Sequence, residues 1–201
     1  MSLQTIKKQL LTFPVFFIFA ASVGLAASFT LGVEQFHLLE NPETELACSI
    51  NPVYSCESVI NSEQASLFGF PNEFLGIAYF GGLLALGLAL LSGSKFGQWL
   101  YKLTWASMAG MMGFIFWFFY QSVYTINALC IYCSVVWTAT WTLFIIYSRW
   151  LVTSKTIKVP KKYQAATKLF VTNTPLIWFL LVATFAGLIL NHFWYYYGQY
   201  F

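Results

Sequence analysis

Four long segments of the chain contain no Asp, Glu, Lys or Arg: residues 9–33, 74–94, 103–148 and 169–201. They are continuously apolar and do not alternate between apolar and polar positions, which argues against a β-barrel. A helix that crosses a membrane needs about 20 mostly apolar residues. Residues 103–148 are long enough for two such helices, with a turn near residues 124–129, and the other segments for one each. The pattern therefore predicts an all-α integral membrane protein with five transmembrane helices.

The charged residues separate into two zones along the chain, and this separation predicts the topology. All acidic residues lie between residues 34 and 73, and all basic residues lie elsewhere. Cytoplasmic loops of membrane proteins carry an excess of Lys and Arg. With five helices and a cytoplasmic N-terminus, every basic residue falls inside and every acid falls in a solvent-facing outer segment. A cleaved signal peptide is the alternative for the first helix, whose apolar run is longer than a usual signal sequence.

The composition agrees with a membrane location. Hydrophobic residues make up 59% of the 201 residues and charged residues only 8%, whereas a soluble domain carries about 25% charged residues. So few charges exclude a disordered chain, a coiled coil and a nucleic-acid-binding module. The net charge of +3 averages over the two zones, so it gives no indication of a nucleic-acid partner.

The residues best suited to chemistry are four cysteines, and the predicted topology places all of them at the outer face. Cys130 and Cys133 form a CxxC motif near the start of the fourth helix, where positions i and i+3 share one helix face. The helix N-terminus lowers the pKa of the first cysteine, and we expect Asn127 to cap this helix. Cys133, one turn deeper, is placed to face an oxidant dissolved in the membrane.

Cys48 and Cys56 lie in a turn-rich part of the outer segment that contains Asn51-Pro52. A mobile pair of cysteines there can meet a soluble protein and then move to the CxxC motif. Thiol–disulfide exchange requires no other catalytic group, so the pattern favours a relay. The residues alone leave three disulfide pairings open. Two inert structural disulfides and a zinc site are the alternatives.

The remaining candidates have simpler interpretations. The two histidines are expected to be ordinary packed or interfacial residues. Small residues allow transmembrane helices to approach closely, and we expect this role for several glycines in the second and third helices: Gly81, Gly82, Gly87, Gly110 and Gly113.

Two segments carry a resemblance to a known family. Residues 48–62, CSINPVYSCESVINS, and residues 66–76, SLFGFPNEFLG, together with the CxxC motif, resemble the bacterial form of the vitamin K epoxide reductase family. The pair in the loop precedes the CxxC motif, as in that family. The order is reversed in the disulfide-bond protein B family, its functional analogue. The resemblance covers roughly residues 10–150.

The resemblance implies a four-helix transmembrane bundle around a quinone, capped by residues 34–73. Residues 1–151 would form this catalytic core, and residues 152–201 a basic cytoplasmic loop and a fifth helix. It further implies that Cys48 exchanges with a partner protein, Cys56 passes electrons to Cys130, and Cys133 lies against the quinone. The residues expected at the quinone are Asn72, which would hydrogen-bond a carbonyl, Ser62, and Trp137, which stands where animal members have Tyr.

The function implied by the resemblance is a membrane thiol:quinone oxidoreductase of the bacterial inner membrane that drives disulfide bond formation. It would oxidise a periplasmic DsbA-like or thioredoxin-like protein and reduce ubiquinone or menaquinone, with no metal ion. Trp137 argues against a vitamin K epoxide substrate. Because this chain resembles members without a fused thioredoxin-like domain, the expected partner is a separate protein. The alternative is a structural membrane protein.

Overall fold

The computed structural model describes residues 3–43, 46–157 and 159–198, with side chains from residue 13 onward. Glu45, Lys158 and the side chains of Lys7 and Lys8, which belong to the charge pattern above, lie outside the described residues. Within the described part, the chain forms eight α-helices: α1 (Leu3–Glu40), α2 (Cys56–Ile60), α3 (Asn72–Leu91), α4 (Gln98–Tyr120), α5 (Ile131–Thr153), α6 (Gln164–Thr172), α7 (Thr174–His192) and α8 (Trp194–Tyr197). Short 3₁₀ helices lie at Glu63–Ser66 and Lys161–Tyr163.

Five helical stretches are long and apolar enough to cross a membrane, which confirms the all-α membrane fold. A π-helical turn, Gln121–Ile126, extends α4, and the chain then turns through residues 127–130, which overlap the region near residues 124–129 expected from the sequence. The stretches are Phe13–Glu40, Asn72–Leu91, Gln98–Ile126, Ile131–Thr153 and Thr174–His192.

The first helix is longer than its apolar segment. It continues beyond residue 33 through Glu34 to Glu40 because nothing in the sequence stops it earlier. Pro42 follows, and a proline disfavours helical backbone in the residue before it. The outer segment that connects α1 to α3 therefore comprises residues 41–71, and the structure describes it apart from residues 44 and 45.

The helices pack into a bundle in which α1 contacts α3 and α5, and α5 contacts α4 and α7. At two positions glycine allows this close approach. A Cβ atom at Gly24 would overlap the ring of buried Phe80, and one at Gly76 would lie 2.5 Å from Ser28 Oγ. Gly87 lies against Ile18 as expected. The prediction was wrong for the other four glycines, where a Cβ atom would meet no atom of another described segment within 4 Å: Gly81, Gly82, Gly110 and Gly113.

Two clusters of buried apolar side chains form the core, one toward each end of the bundle. One cluster centres on Phe17, Phe80 and Tyr147. The other contains all four cysteines together with Trp137 and Phe185. It lies where α1 ends, α3 and α5 begin and α7 ends, beneath the outer segment. The fold therefore brings the reactive residues to one end of the bundle.

Candidate active site

Three of the four sulfur atoms meet beneath the outer segment. Cys48 and Cys56 form a disulfide with a Cα–Cα distance of 5.7 Å, and Cys130 and Cys133 are free thiols. Cys130 Sγ lies 3.3 Å from Cys56 Sγ. A thiol in contact with one sulfur of a disulfide is the arrangement that thiol–disulfide exchange requires.

A short pairing of backbone segments holds Cys56 and Cys130 together. Tyr54 and Leu129 form a parallel β-bridge. The Leu129 N–H donates to the Val53 carbonyl at 2.7 Å, and the Ser55 N–H donates to the Leu129 carbonyl at 2.9 Å. Since Cys56 and Cys130 follow directly on the two paired segments, their separation is set by backbone hydrogen bonds.

Local side-chain hydrogen bonds shape the approach to Cys56. Asn51 Oδ1 accepts from the N–H groups of Val53 at 2.9 Å and Tyr54 at 2.8 Å, a turn that asparagine favours. Ser55 caps α2, because its hydroxyl accepts from the Ser58 N–H at 3.2 Å. The sequence predicted a mobile pair that moves to the CxxC motif. The structure differs, because Cys56 begins a helix and already contacts Cys130.

The N-cap of α5 is Cys130 itself. Its backbone is extended, and its Sγ accepts a hydrogen bond from the Cys133 N–H at 3.3 Å. The prediction that Asn127 caps this helix was wrong: Asn127 adopts a left-handed conformation with φ of 58° and ends the preceding π-helical turn. The Cys133 thiol donates to Cys130, and with the N–H groups of Cys133 and Tyr132 it lowers the pKa of Cys130, although burial acts in the opposite direction.

Cys48 is buried although its segment lies at the surface. The Cys48 side chain is only 3% exposed, whereas Ala47 and Ile50 on either side are exposed. A soluble protein therefore reaches this sulfur only when residues 47–50 move outward.

A pocket among the helices begins beside Cys133. Cys133 and Trp137 of α5 line it, with Asn72 and Glu73 of α3 and apolar side chains of α1 and α4. Asn72 Nδ2 donates to the Gln64 carbonyl at 2.7 Å. Two buried oxygen atoms, Asn72 Oδ1 and Glu73 Oε1, have no hydrogen-bond partner in the described part of the chain. An apolar pocket with a few polar atoms is suited to a small, mostly apolar ligand, and the two free oxygen atoms can accept hydrogen bonds from a donor on it.

The part of the chain that carries the cysteines and the pocket matches a known family. The model of the vitamin K epoxide reductase family matches residues 15–148. This range contains all four cysteines and every residue that lines the pocket. The chain belongs to the vitamin K epoxide reductase family. A search of curated proteins found no match. Family membership makes the chain a membrane thiol oxidoreductase linked to a quinone.

Trp137 and Ser62, the other two residues expected at the quinone, differ in their surroundings. Trp137 is buried and lies edge-on to Phe119, with ring centroids 5.4 Å apart. Ser62 does not line the pocket. Its hydroxyl donates to the Val59 carbonyl at 2.6 Å, because it follows α2 and precedes the 3₁₀ helix. Ser62 therefore joins these two short helices.

One pocket residue was missed by the sequence interpretation. Glu73 was grouped with the solvent-facing acids, but its side chain is 7% exposed. It lies in the first turn of α3, directly after the Pro71-Asn72 segment that carries the family resemblance. Its position in the sequence could have indicated this burial, because Glu73 directly precedes the apolar segment 74–94.

Proposed function

We propose that this member of the family transfers electrons from a periplasmic DsbA-like or thioredoxin-like protein to ubiquinone or menaquinone, and so drives disulfide bond formation. The observation that carries the proposal is the 3.3 Å contact between Cys56 Sγ and Cys130 Sγ. With the Cys48–Cys56 disulfide on one side and Cys133 at the pocket on the other, the sulfurs form a continuous path from the outer segment to an apolar pocket.

In the first stage, a thiolate of the partner attacks Cys48, the Cys48–Cys56 bond breaks and Cys56 leaves as a thiolate. Cys56 then attacks Cys130 of an oxidised CxxC pair, and Cys133 leaves as a thiolate. The second partner thiol displaces Cys48, which in turn displaces Cys130 from Cys56. The partner gains one disulfide and the CxxC pair gains two electrons. The pairing in the structure, with Cys48–Cys56 oxidised and Cys130 and Cys133 free, matches the product of this stage.

The pocket residues have distinct roles in the second stage. A quinone bound there accepts two electrons and two protons. Asn72 has one amide N–H left after its bond to Gln64, and this donor is suited to a carbonyl oxygen. Cys133 presents its sulfur at the pocket. Trp137 provides a flat apolar wall, and its one donor is an indole N–H in place of the hydroxyl of the animal Tyr.

We place the chain in the bacterial inner membrane with a cytoplasmic N-terminus and the cysteines on the periplasmic side. Two observations support this orientation. The basic residues are absent from residues 34–73, where the acids lie, and the outer segment covers the end of the bundle that carries the sulfurs. We assign catalysis to residues 1–151, and a basic cytoplasmic loop and membrane anchor to residues 152–201.

Trapping of the partner tests the assignment of Cys48. Cys56→Ala leaves Cys48 without its disulfide, so an oxidised DsbA-like protein should form a stable mixed disulfide with it. The matched variant Cys48→Ala leaves Cys56, which is fully buried, and should form none. A complex through Cys130 in either variant, identified by mass spectrometry of the linked peptides, would overturn the order of the relay.

A further inference from the structure

We propose that Glu73 carries a proton between Cys133 and the quinone oxygen. This inference rests on the proposed function and deepens it. The CxxC pair loses two electrons and two protons when its disulfide forms, and a quinone takes up the same number when it is reduced. A pocket lined mostly by apolar side chains offers few groups that can move these protons.

The position of Glu73 carries the argument. The side chain is 7% exposed, it lines the same pocket as Cys133, and its Oε1 atom is buried without a hydrogen-bond partner in the described residues. A buried polar atom without a partner is rare in proteins, because its desolvation is not compensated. Oε1 is therefore available for a ligand in the pocket.

The surroundings leave no competing proton carrier among the described residues that line the pocket. Glu73 is the one charged residue in the lining, and Cys133 is the one other titratable group. The α1 side contributes Ser28 and Leu31. Gly32 of α1 also packs against Glu73, because a Cβ atom placed on Gly32 would lie 3.6 Å from Glu73 Cγ. The α4 side contributes Met111, Phe114, Ile115 and Phe118.

Glu73 and the Cys133 sulfur face one shared space. Both line the same pocket, and the other described side chains of its lining are uncharged. A carboxylate and a thiolate placed together in an apolar pocket repel each other, so one of the two keeps a proton. This coupling lets the proton pass from one group to the other when the charge on sulfur changes.

The step balances as follows. The S–S bond of Cys130 and Cys133 forms, and the two electrons of the dithiol go to the quinone. Glu73, as a carboxylic acid, gives its proton to one quinone oxygen and regains a proton from the Cys133 thiol. The second proton of the dithiol is released from Cys130 to the outer aqueous phase when this thiol ionises. The second quinone oxygen takes up one proton from water, so the number of protons balances. Glu73 is unchanged over the cycle.

The first test needs no quinone. Infrared difference spectra of the full-length chain between its dithiol and disulfide forms detect a protonated carboxylic acid whose carbonyl stretch shifts when the Cys133 thiol beside it becomes a disulfide sulfur. We expect such a band in the wild type and in Glu63→Gln, which removes an exposed acid of the outer segment. The band should be absent in the isosteric Glu73→Gln. A band that persists in Glu73→Gln, or a wild type without one, would overturn the proposal.

The second test measures a single turnover of the reduced chain with a short-chain ubiquinone analogue. Loss of a general acid lowers a rate by about 100-fold or more, and we expect this loss in Glu73→Gln. Glu63→Gln should match the wild type, and Glu73→Asp, which keeps a carboxyl group, should regain at least about ten-fold. A Glu73→Gln rate within about three-fold of the wild type would contradict the proposal, since this is far below a general-acid effect.

Exchange between Cys56 and Cys130, followed with a small dithiol and no quinone, shows that each variant is folded and should be unchanged. The two failures are distinguishable. If the wild type also fails to reduce either quinone analogue, the proposed function is wrong. If the wild type turns over and Glu73→Gln equals it, only the role of Glu73 is wrong.

Discussion

Cys130 combines three features in one residue. It caps α5 with its own sulfur, it contacts Cys56 Sγ at 3.3 Å, and it receives hydrogen bonds that favour a thiolate. These features belong together, because a capping sulfur faces the N–H groups of the first helical turn, and these groups stabilise negative charge. The residue that the relay uses as its central sulfur is thus activated by the local backbone.

The lowered pKa of Cys130 leads to a pH prediction. In a Cys48→Ala/Cys56→Ala background, thiolate absorbance should rise at a lower pH than for an ordinary thiol with a pKa of 9.0. The Cys133 thiol is the largest cause of this shift, so adding Cys133→Ala should raise the pKa of Cys130 again. At pH values below 9.0 the fraction of thiolate would then fall. An unchanged titration after Cys133→Ala would contradict the assigned hydrogen bond.

Asn72 is predicted to act on the quinone and not on the sulfurs. Asn72→Ala removes the remaining amide N–H, so affinity for a quinone analogue should fall by about five-fold, which corresponds to the usual effect of about 1 kcal/mol for one hydrogen bond. Thiol trapping should show that the Cys48–Cys56 disulfide still forms and exchanges with Cys130. Asn61→Ala, at the C-terminal end of α2 and outside the pocket lining, is the control. Unchanged quinone affinity in Asn72→Ala would remove Asn72 from the site.

At the scale of elements, α7 supports the turn that carries the CxxC motif. His192 Nε2 lies 2.8 Å from Asn127 Oδ1, and its ring packs edge-on against Tyr124 at 4.8 Å. Phe193, directly after α7, is fully buried in the cluster that contains the cysteines. The family match ends at residue 148, so this support comes from a helix outside the matched range.

Asn127 should be sensitive to both its backbone and its side chain. Its φ of 58° is left-handed, and this conformation costs most residues about 1–2 kcal/mol, but asparagine and glycine less. Asn127→Ala should therefore lower the free energy of unfolding more than Asn127→Gly, since both lose the bonds to His192 and to the Thr125 carbonyl and only alanine is strained by the backbone. Thermal unfolding in detergent provides the measurement, and equal losses for Ala and Gly would contradict the backbone argument.

Across the whole molecule, the bundle depends on the close packing of α1 against α3. Gly24→Ala would place a methyl group in the ring of Phe80, and overpacking of this kind costs about 1–3 kcal/mol. Gly81→Ala, on α3, is the matched control, because a Cβ atom there meets no other described segment within 4 Å. It should not destabilise the protein, since alanine is a better helix former than glycine. Unfolding in detergent would compare the two, and a stable Gly24→Ala would show that α1 shifts to accommodate it.

The sequence was sufficient for the architecture because five spans follow from apolar length, a property of each segment alone. The sequence also predicted that all four cysteines lie at one end of the bundle, because successive transmembrane helices run in opposite directions. The β-bridge between Tyr54 and Leu129 was not predictable, because it pairs segments far apart in sequence through backbone atoms. The burial of Glu73 was missed for a related reason: the outer segment covers the start of α3, and charge patterning alone places acids in water.

The most direct test of the central claim follows quinone absorbance in purified protein supplied with a reduced DsbA-like partner and a ubiquinone or menaquinone analogue. The wild type should reduce the quinone, and Cys133→Ala should not, although its Cys48–Cys56 disulfide still forms. Turnover that persists in Cys133→Ala would contradict the relay. A wild type that reduces neither analogue would contradict the proposed activity itself.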